Sequence, residues 1–252
     1  MSDTLPVFKS HYSIGKSILT LEKETDEDGP DSIFSILKEN NLKKLVLVED
    51  SISGFLQAYS NAKEQDVDLI FGLRITVCEN MADKTEESLL KQSKCIIFAK
   101  NVEGYKRLIK ISSLASTEGF YYYPRIDFKS LKKLWNRDEV LMVVPFYDSF
   151  LFYNSLTLSI CVPDFSFCEP IFLSENNNLP FDSLLNQRLS EFCKEKYKIQ
   201  KAKSIYYREK KDFLSYLTFR CISKRSTLSK PELNHMCSNQ FSFESWKESQ
   251  NG

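Results

Sequence analysis

The chain has 252 residues, enough for one large domain or two small ones. Its 34 Lys and Arg balance 34 Asp and Glu, so no global basic field exists to hold nucleic acid non-specifically. Apolar residues at 42% exclude wholesale disorder, and with 7 Gly in all there is no GxGxxG or GxxxxGK[ST] phosphate cradle.

In chain order, residues 22–30 are acidic and end in Gly29-Pro30, a solvated turn before a helix over 32–39. Residues 45–48 (LVLV) read as a buried strand. Phe55, Ala58, Tyr59 and Ala62 then share one helix face. The apolar runs at 69–71 and 95–99 predict two more strands. A helix presenting Tyr105, Leu108, Ile109 and Ser112 follows the second. Residues 140–144 and 171–173 are further strand candidates. A turn at 175–178 with Pro180 leads into a helix from Asp182, with Leu184, Leu185, Leu189 and Phe192 on one face. Continuous apolar runs imply strands covered on both faces. Strands alternating with helices imply βαβ units and a mainly parallel sheet or barrel. No apolar stretch approaches the ~20 residues that span a bilayer.

Residues 194–203 and 208–211 are basic, with Tyr197, Tyr206 and Tyr207 interleaved. Such a stretch suits weak DNA contact, phosphate tracking with stacking platforms, or the solvated side of a helix plus a barrel-edge loop. From residue 223 the chain is polar and ends in the isolated aromatics Phe241, Phe243 and Trp246. These either dock on a partner or fold back on their own domain. The seven cysteines form no CxxC, and only two His are present, so a structural zinc site is disfavoured. With no signal peptide, free thiols in a reducing cytoplasm are expected.

Several segments resemble one family. Ser10-His11-Tyr12-Ser13 resembles an opening HxHSxYS element, and residues 45–54 (LVLVEDSISG) resemble a strand end of the type hydrophobic-T-D-H-xxxxG. Residues 98–127 (FAKNVEGYKRLIKISSLASTEGFYYYPRID) carry the longest match. Gly104-Tyr105, Ser112-Ser113, Gly119-Phe120 and Pro124-Arg125-Ile126-Asp127 all stand in register. The family is the amino-terminal PHP (polymerase and histidinol phosphatase) domain of bacterial DNA polymerase III alpha subunits. The resemblance covers roughly residues 5–225 and implies an α/β fold, a distorted seven-stranded β/α barrel with any site at the C-terminal strand ends. A PHP-like barrel is expected over 1–222, with 223–252 a polar tail or the start of a linker.

Active members of that family hold two or three divalent metals for phosphoester hydrolysis. Transferred position by position, the first-strand His pair falls on Val7 and Lys9, with His11 an extra residue or the displaced second His. The Asp-His pair falls on Asp50-Ser51. The Glu after the third strand falls on Arg74, and the late Asp-x-His on Ser204 and Tyr206. Fixed positive charge at Lys9 and Arg74 repels a metal and donates no lone pair. The resemblance thus implies a metal-free relic in which Asp50 pairs with Lys9 or Arg74. The chain also holds no polymerase palm. The expected role is non-catalytic: a replication scaffold that binds a replicative polymerase or a proofreading exonuclease subunit. A decoy that intercepts such a partner shares the same site. The competing expectation is a phosphoesterase or 3′–5′ exonuclease using His11 and Asp50 with Zn²⁺, Mn²⁺ or Mg²⁺.

Overall fold

The computed structural model describes residues 4–229, 233 and 236–251. The strands are β1 (Leu5–Phe8), β2 (Lys44–Glu49), β3 (Asp68–Cys78), β4 (Gln92–Ala99), β5 (Arg125–Asp127), β6 (Val140–Val144), β7 (Ile171–Ser174) and β8 (Ile199–Ile205). The helices are α1 (Ile33–Glu39), α2 (Phe55–Glu64), α3 (Val102–Ser116), α4 (Phe128–Lys133), α5 (Phe150–Leu156), α6 (Asp182–Cys193), α7 (Phe213–Lys224) and α8 (Phe243–Asn251).

Seven strands close on themselves. β1 pairs with β2 and β8, β2 with β3, and the ring continues through β4, β6 and β7 back to β8. The pairs are parallel except β3–β4 and β4–β6, which are antiparallel, so β4 runs against its neighbours. The 11-residue β3 overshoots β2, and its last residues pair with β5 outside the ring. This is the expected seven-stranded β/α barrel, distorted by one reversed strand and one overlong one.

Period-2 alternation divides the interior. Leu45 and Leu47 of β2 pack with Phe34 of α1 and with Ala58 and Ala62 of α2. Val46 and Val48 pack with Val7, Ile96, Leu173 and Ala202 inside the ring. Burial on both faces explains why these strands read as continuous apolar runs. α1 begins where its cap predicts: the Ser32 hydroxyl accepts from the amides of Phe34 and Ser35 at 3.1 and 3.3 Å.

Three expectations change. The buried face of α3 is Gly104, Leu108, Ile111 and Ala115, while Ile109 is exposed. On α6 the inward residues are Asp182, Leu185, Leu189 and Cys193 rather than Leu184 and Phe192. The basic stretch is in part a strand: residues 199–205 form β8, hydrogen-bonded between β1 and β7, while 194–198 and 208–209 lie in turns. Two of its cations serve the fold. Arg208 reaches Asp31 and Glu39 at 3.3 and 2.5 Å, and Lys210 reaches Glu248 at 2.5 Å. The Tyr206 and Tyr207 rings pack on Tyr216 rather than standing as an open platform.

The end of the chain also returns to the barrel. α7 runs across residue 222. Phe241 and Phe243 are buried, and the Trp246 indole N–H donates to the Thr4 carbonyl at 2.8 Å. Phe241 stacks on Tyr206 and Phe243 on Phe8, so these aromatics are core residues and not an exposed docking motif. All seven cysteines are free, and six are buried. Among the described residues no helix is long and apolar enough to cross a membrane.

Candidate functional site

The barrel mouth, where the parallel strands end, gathers charge from the ends of β1, β2, β6 and β7 and from the middle of the overlong β3. Register sets the level. Phe8 pairs with Leu47 and with Ile205, and Glu49 with Leu73. Lys9 and Tyr206 are therefore level with Val48, and Asp50 and Arg74 stand level with each other two residues further along β2, within reach of the Lys9 side chain. Asp148 joins them from the turn after β6, and Glu175 from the residue after β7.

Arg74 is the centre. Its Nε lies 2.6 Å from Asp50 Oδ1 and its Nη2 lies 2.9 Å from Asp50 Oδ2, a two-pronged pair. Its Nη1 reaches Asp148 Oδ2 at 2.7 Å. Lys9 Nζ donates to Asp50 Oδ1 at 3.1 Å, and the Tyr153 hydroxyl donates to Asp148 Oδ1 at 3.3 Å. Arg74 and Lys9 side chains are 8% and 5% exposed, which makes this pairing nearly dry. Burial favours the neutral form of Asp50, yet Arg74 and Lys9 outweigh it and hold the carboxyl well below its ordinary range. Asp148 is also held low: burial opposes ionisation, while Lys16 and Arg74 favour it more. Asp148 takes a left-handed φ of 62°, and its carbonyl accepts from the Lys94 amide at 2.8 Å.

Two more carboxylates are saturated by hydrogen bonds. Glu49 accepts from the Ser10 amide at 2.8 Å and from the Ser13 hydroxyl. Glu175 accepts from the Ser204 amide and hydroxyl at 2.9 and 2.8 Å, and from Asn177 at 2.9 Å. Burial raises the pKa of both. Below the charged tier is a cavity of about 30 Å³ lined by Val7, Lys9, Arg74, Tyr147, Glu175 and Tyr206. It has room for little more than water.

Of the sequence candidates, Lys9, Asp50 and Arg74 meet directly. Ser204 holds Glu175, and Tyr206 walls the cavity. His11 stands apart: it stacks on Tyr12 with ring centroids 4.5 Å apart, and its Nδ1 is buried without a hydrogen-bond partner. Asp148, Glu175, Glu49, Lys16 and Lys94 were not singled out from the sequence. A usable signal existed for three of them, since Glu49, Asp148 and Glu175 each follow an apolar strand run closely. Among the described residues no group of three or more His, Cys, Asp or Glu is placed to hold a metal.

Comparison with known proteins adds a lineage. Residues 10–151 match the PHP domain family. The chain is 35% identical over 104 residues to the DNA polymerase III subunit alpha of Borreliella burgdorferi, covering 40% of this chain and 9% of that protein. It is 30% identical over 176 residues to the subunit alpha of Aquifex aeolicus, covering 64% of this chain and 14% of that one. A third relative, the subunit alpha of Helicobacter pylori, is 33% identical over 98 residues, covering 38% of this chain and 8% of that protein. The chain thus spans only a small part of the curated relatives it matches.

Proposed function

The chain belongs to the PHP domain family, and from that premise we propose that it is a replication module whose barrel mouth is ion-paired instead of metallated. It acts by binding a replicative polymerase or proofreading exonuclease subunit, in the cytoplasm, and not by hydrolysis. One observation carries this reading: the Arg74 guanidinium sits on both Asp50 and Asp148. A guanidinium stays protonated and offers no lone pair. It occupies both oxygens of Asp50, the carboxylate at the family's ligand position. The donor set does not suit a divalent cluster, because Lys9, Arg74, Ser204 and Tyr206 stand where further ligands are needed. The replication context is supported by the relatives, which are named as polymerase subunits.

A specific feature favours a second reading, metal-dependent phosphoester hydrolysis. The unpartnered His11 Nδ1 is a lone nitrogen that could ligate after a rearrangement. Metal content by mass spectrometry, after Mn²⁺ and Zn²⁺ are offered to the purified chain, separates the two. The ion-paired mouth retains neither metal. Roughly two or more equivalents per chain, lost in a His11→Ala variant, establish the second reading. Binding is tested by mixing the chain with a purified proofreading exonuclease subunit and a replicative polymerase. A module of this kind forms a complex with one of them, and failure with both removes the scaffold role.

A further inference from the structure

A second, larger cavity lies beside the ion-paired tier. β3 and β4 run on past the end of β2, with Thr76 paired to Lys94 and Cys78 to Gln92. Together with Tyr123 and Tyr153 they enclose about 380 Å³, against about 30 Å³ inside the ring. That falls within the ~300–1,000 Å³ of ordinary small-molecule sites.

Its wall offers two neighbouring donors on one face of the β3–β4 pair: Thr76 brings a hydroxyl and Lys94 an ammonium, while the Tyr153 hydroxyl is already given to Asp148. Lys94 Nζ donates to Thr76 Oγ1 at 2.5 Å, which leaves two of its three hydrogens for another acceptor. Among the described residues Lys94 has no carboxylate within ion-pair distance, because Asp50 and Asp148 are taken by Arg74 and Lys9. The Tyr123 ring lies 5.7 Å from Lys94 Nζ, and its hydroxyl is held by the Gln92 amide. A flat, fixed ring thus stands next to an unneutralised cation.

The surrounding charge is unbalanced in the same sense. Burial, with repulsion from Arg74, pulls Lys94 down to about 8 against the attraction of Asp50 and Asp148. Burial also lowers Lys16 to about 7, with Asp148 opposing and Arg74 adding to the fall. An anion in this cavity relieves Lys94, which lines it. An oxyanion that accepts from an ammonium and a hydroxyl, attached to a planar group that stacks on tyrosine, has the chemistry of a nucleotide.

We propose that this cavity binds a nucleoside monophosphate, with its phosphate on Lys94 and Thr76 and its base against Tyr123. The site uses neither Asp50 nor a metal, so it stands apart from the function proposed above.

The test is calorimetric titration of the intact chain with dAMP, and separately with inorganic phosphate, in the presence of a chelator. Saturable one-to-one binding of dAMP is expected, about tenfold tighter than phosphate. Lys94→Met weakens it about tenfold or more, and Thr76→Val weakens it several-fold. Lys91→Met, in an exposed lysine outside this wall, leaves it unchanged. No saturable heat from the wild-type chain up to ~10 mM dAMP overturns the proposal. So does unaltered binding in folded Lys94→Met, or in Thr76→Val should the first variant not fold. Equal affinity for phosphate and dAMP overturns the assignment of a base-bearing ligand. Metal retention at the mouth is read in the chelator-free experiment and leaves these outcomes separate.

Discussion

Residues 98–127 and the barrel mouth are stabilised by different physics. The first is close backbone packing around one buried arginine. A Cβ on Gly104 would lie 2.1 Å from the Glu139 carbonyl oxygen, and one on Gly119 only 1.7 Å from that of Arg125. Arg125 is fully buried. It donates to Ser88 Oγ at 2.9 Å and to the Asp83 carbonyl at 2.6 Å, and it lies 5.0 Å from the Tyr121 ring centre. Asp127 caps α4 by accepting from the Ser130 amide at 2.7 Å. The mouth instead is held by charges that strands far apart in sequence bring together. The segment with the longest family-like motif is therefore a packing unit, and its polar groups serve backbone and loops.

This contrast can be broken in three ways. The largest effect is expected from Arg74→Met, which strips Asp148 and half of Asp50's partners in a nearly dry site. A loss of ~3–5 kcal/mol is expected from urea unfolding. The double variant Arg74→Met/Asp50→Asn should lose less than the sum of the single ones. Simple additivity would mean that the pairing does not hold the mouth. Next is Gly119→Ala, where the new methyl meets backbone that can yield only by shifting. It is expected to cost ~1–3 kcal/mol, with the Arg74 variants' coupling unchanged. A neutral Gly119→Ala would remove close packing as the reason for the glycine.

The smallest effect is in pH. Asp50 and Asp148 titrate below their unfolded values when folded. The unfolded chain then binds more protons in acid, so their contribution is complete above about pH 4 and lost as pH falls further. Lys16 and Lys94 are lowered to about 7 and about 8, so the unfolded chain also binds more protons from there up to ~pH 10. Stability should rise with pH across that window, and Lys16→Met should flatten the rise. The urea midpoint from pH 3 to pH 9 reads both limbs. A flat alkaline limb in the wild-type chain would remove the charge imbalance around the second cavity.

Much of the scaffold was legible in local pattern. Apolar runs marked β2, β4, β6 and β7, and the Gly29-Pro30 turn marked the start of α1, because burial on both faces and turn residues leave signatures within a few residues. β8 was not legible. Its Lys201 and Lys203 break the apolar run, and Lys203 is accommodated by donating to the Asn176 carbonyl at 3.1 Å. The face of α3 was misread by a step, since small residues at 104 and 115 pack closer than Ile109 does. The tail's aromatics looked exposed because the surfaces that bury them, Phe8, Tyr206 and the Thr4 carbonyl, lie 35 or more residues away.

By itself, then, the sequence determined the alternation of most strands and helices, the barrel class, and the presence of Lys9, Asp50 and Arg74 at or just beyond apolar strand runs. The tertiary structure decided that β4 runs backwards, that the final aromatics fill the core, and that Arg74 bridges Asp50 and Asp148 while Lys94 is left facing a cavity. Strand propensity and capping act over a few residues. An ion pair between residues 24 or 74 apart exists only after the barrel closes and dehydrates its mouth.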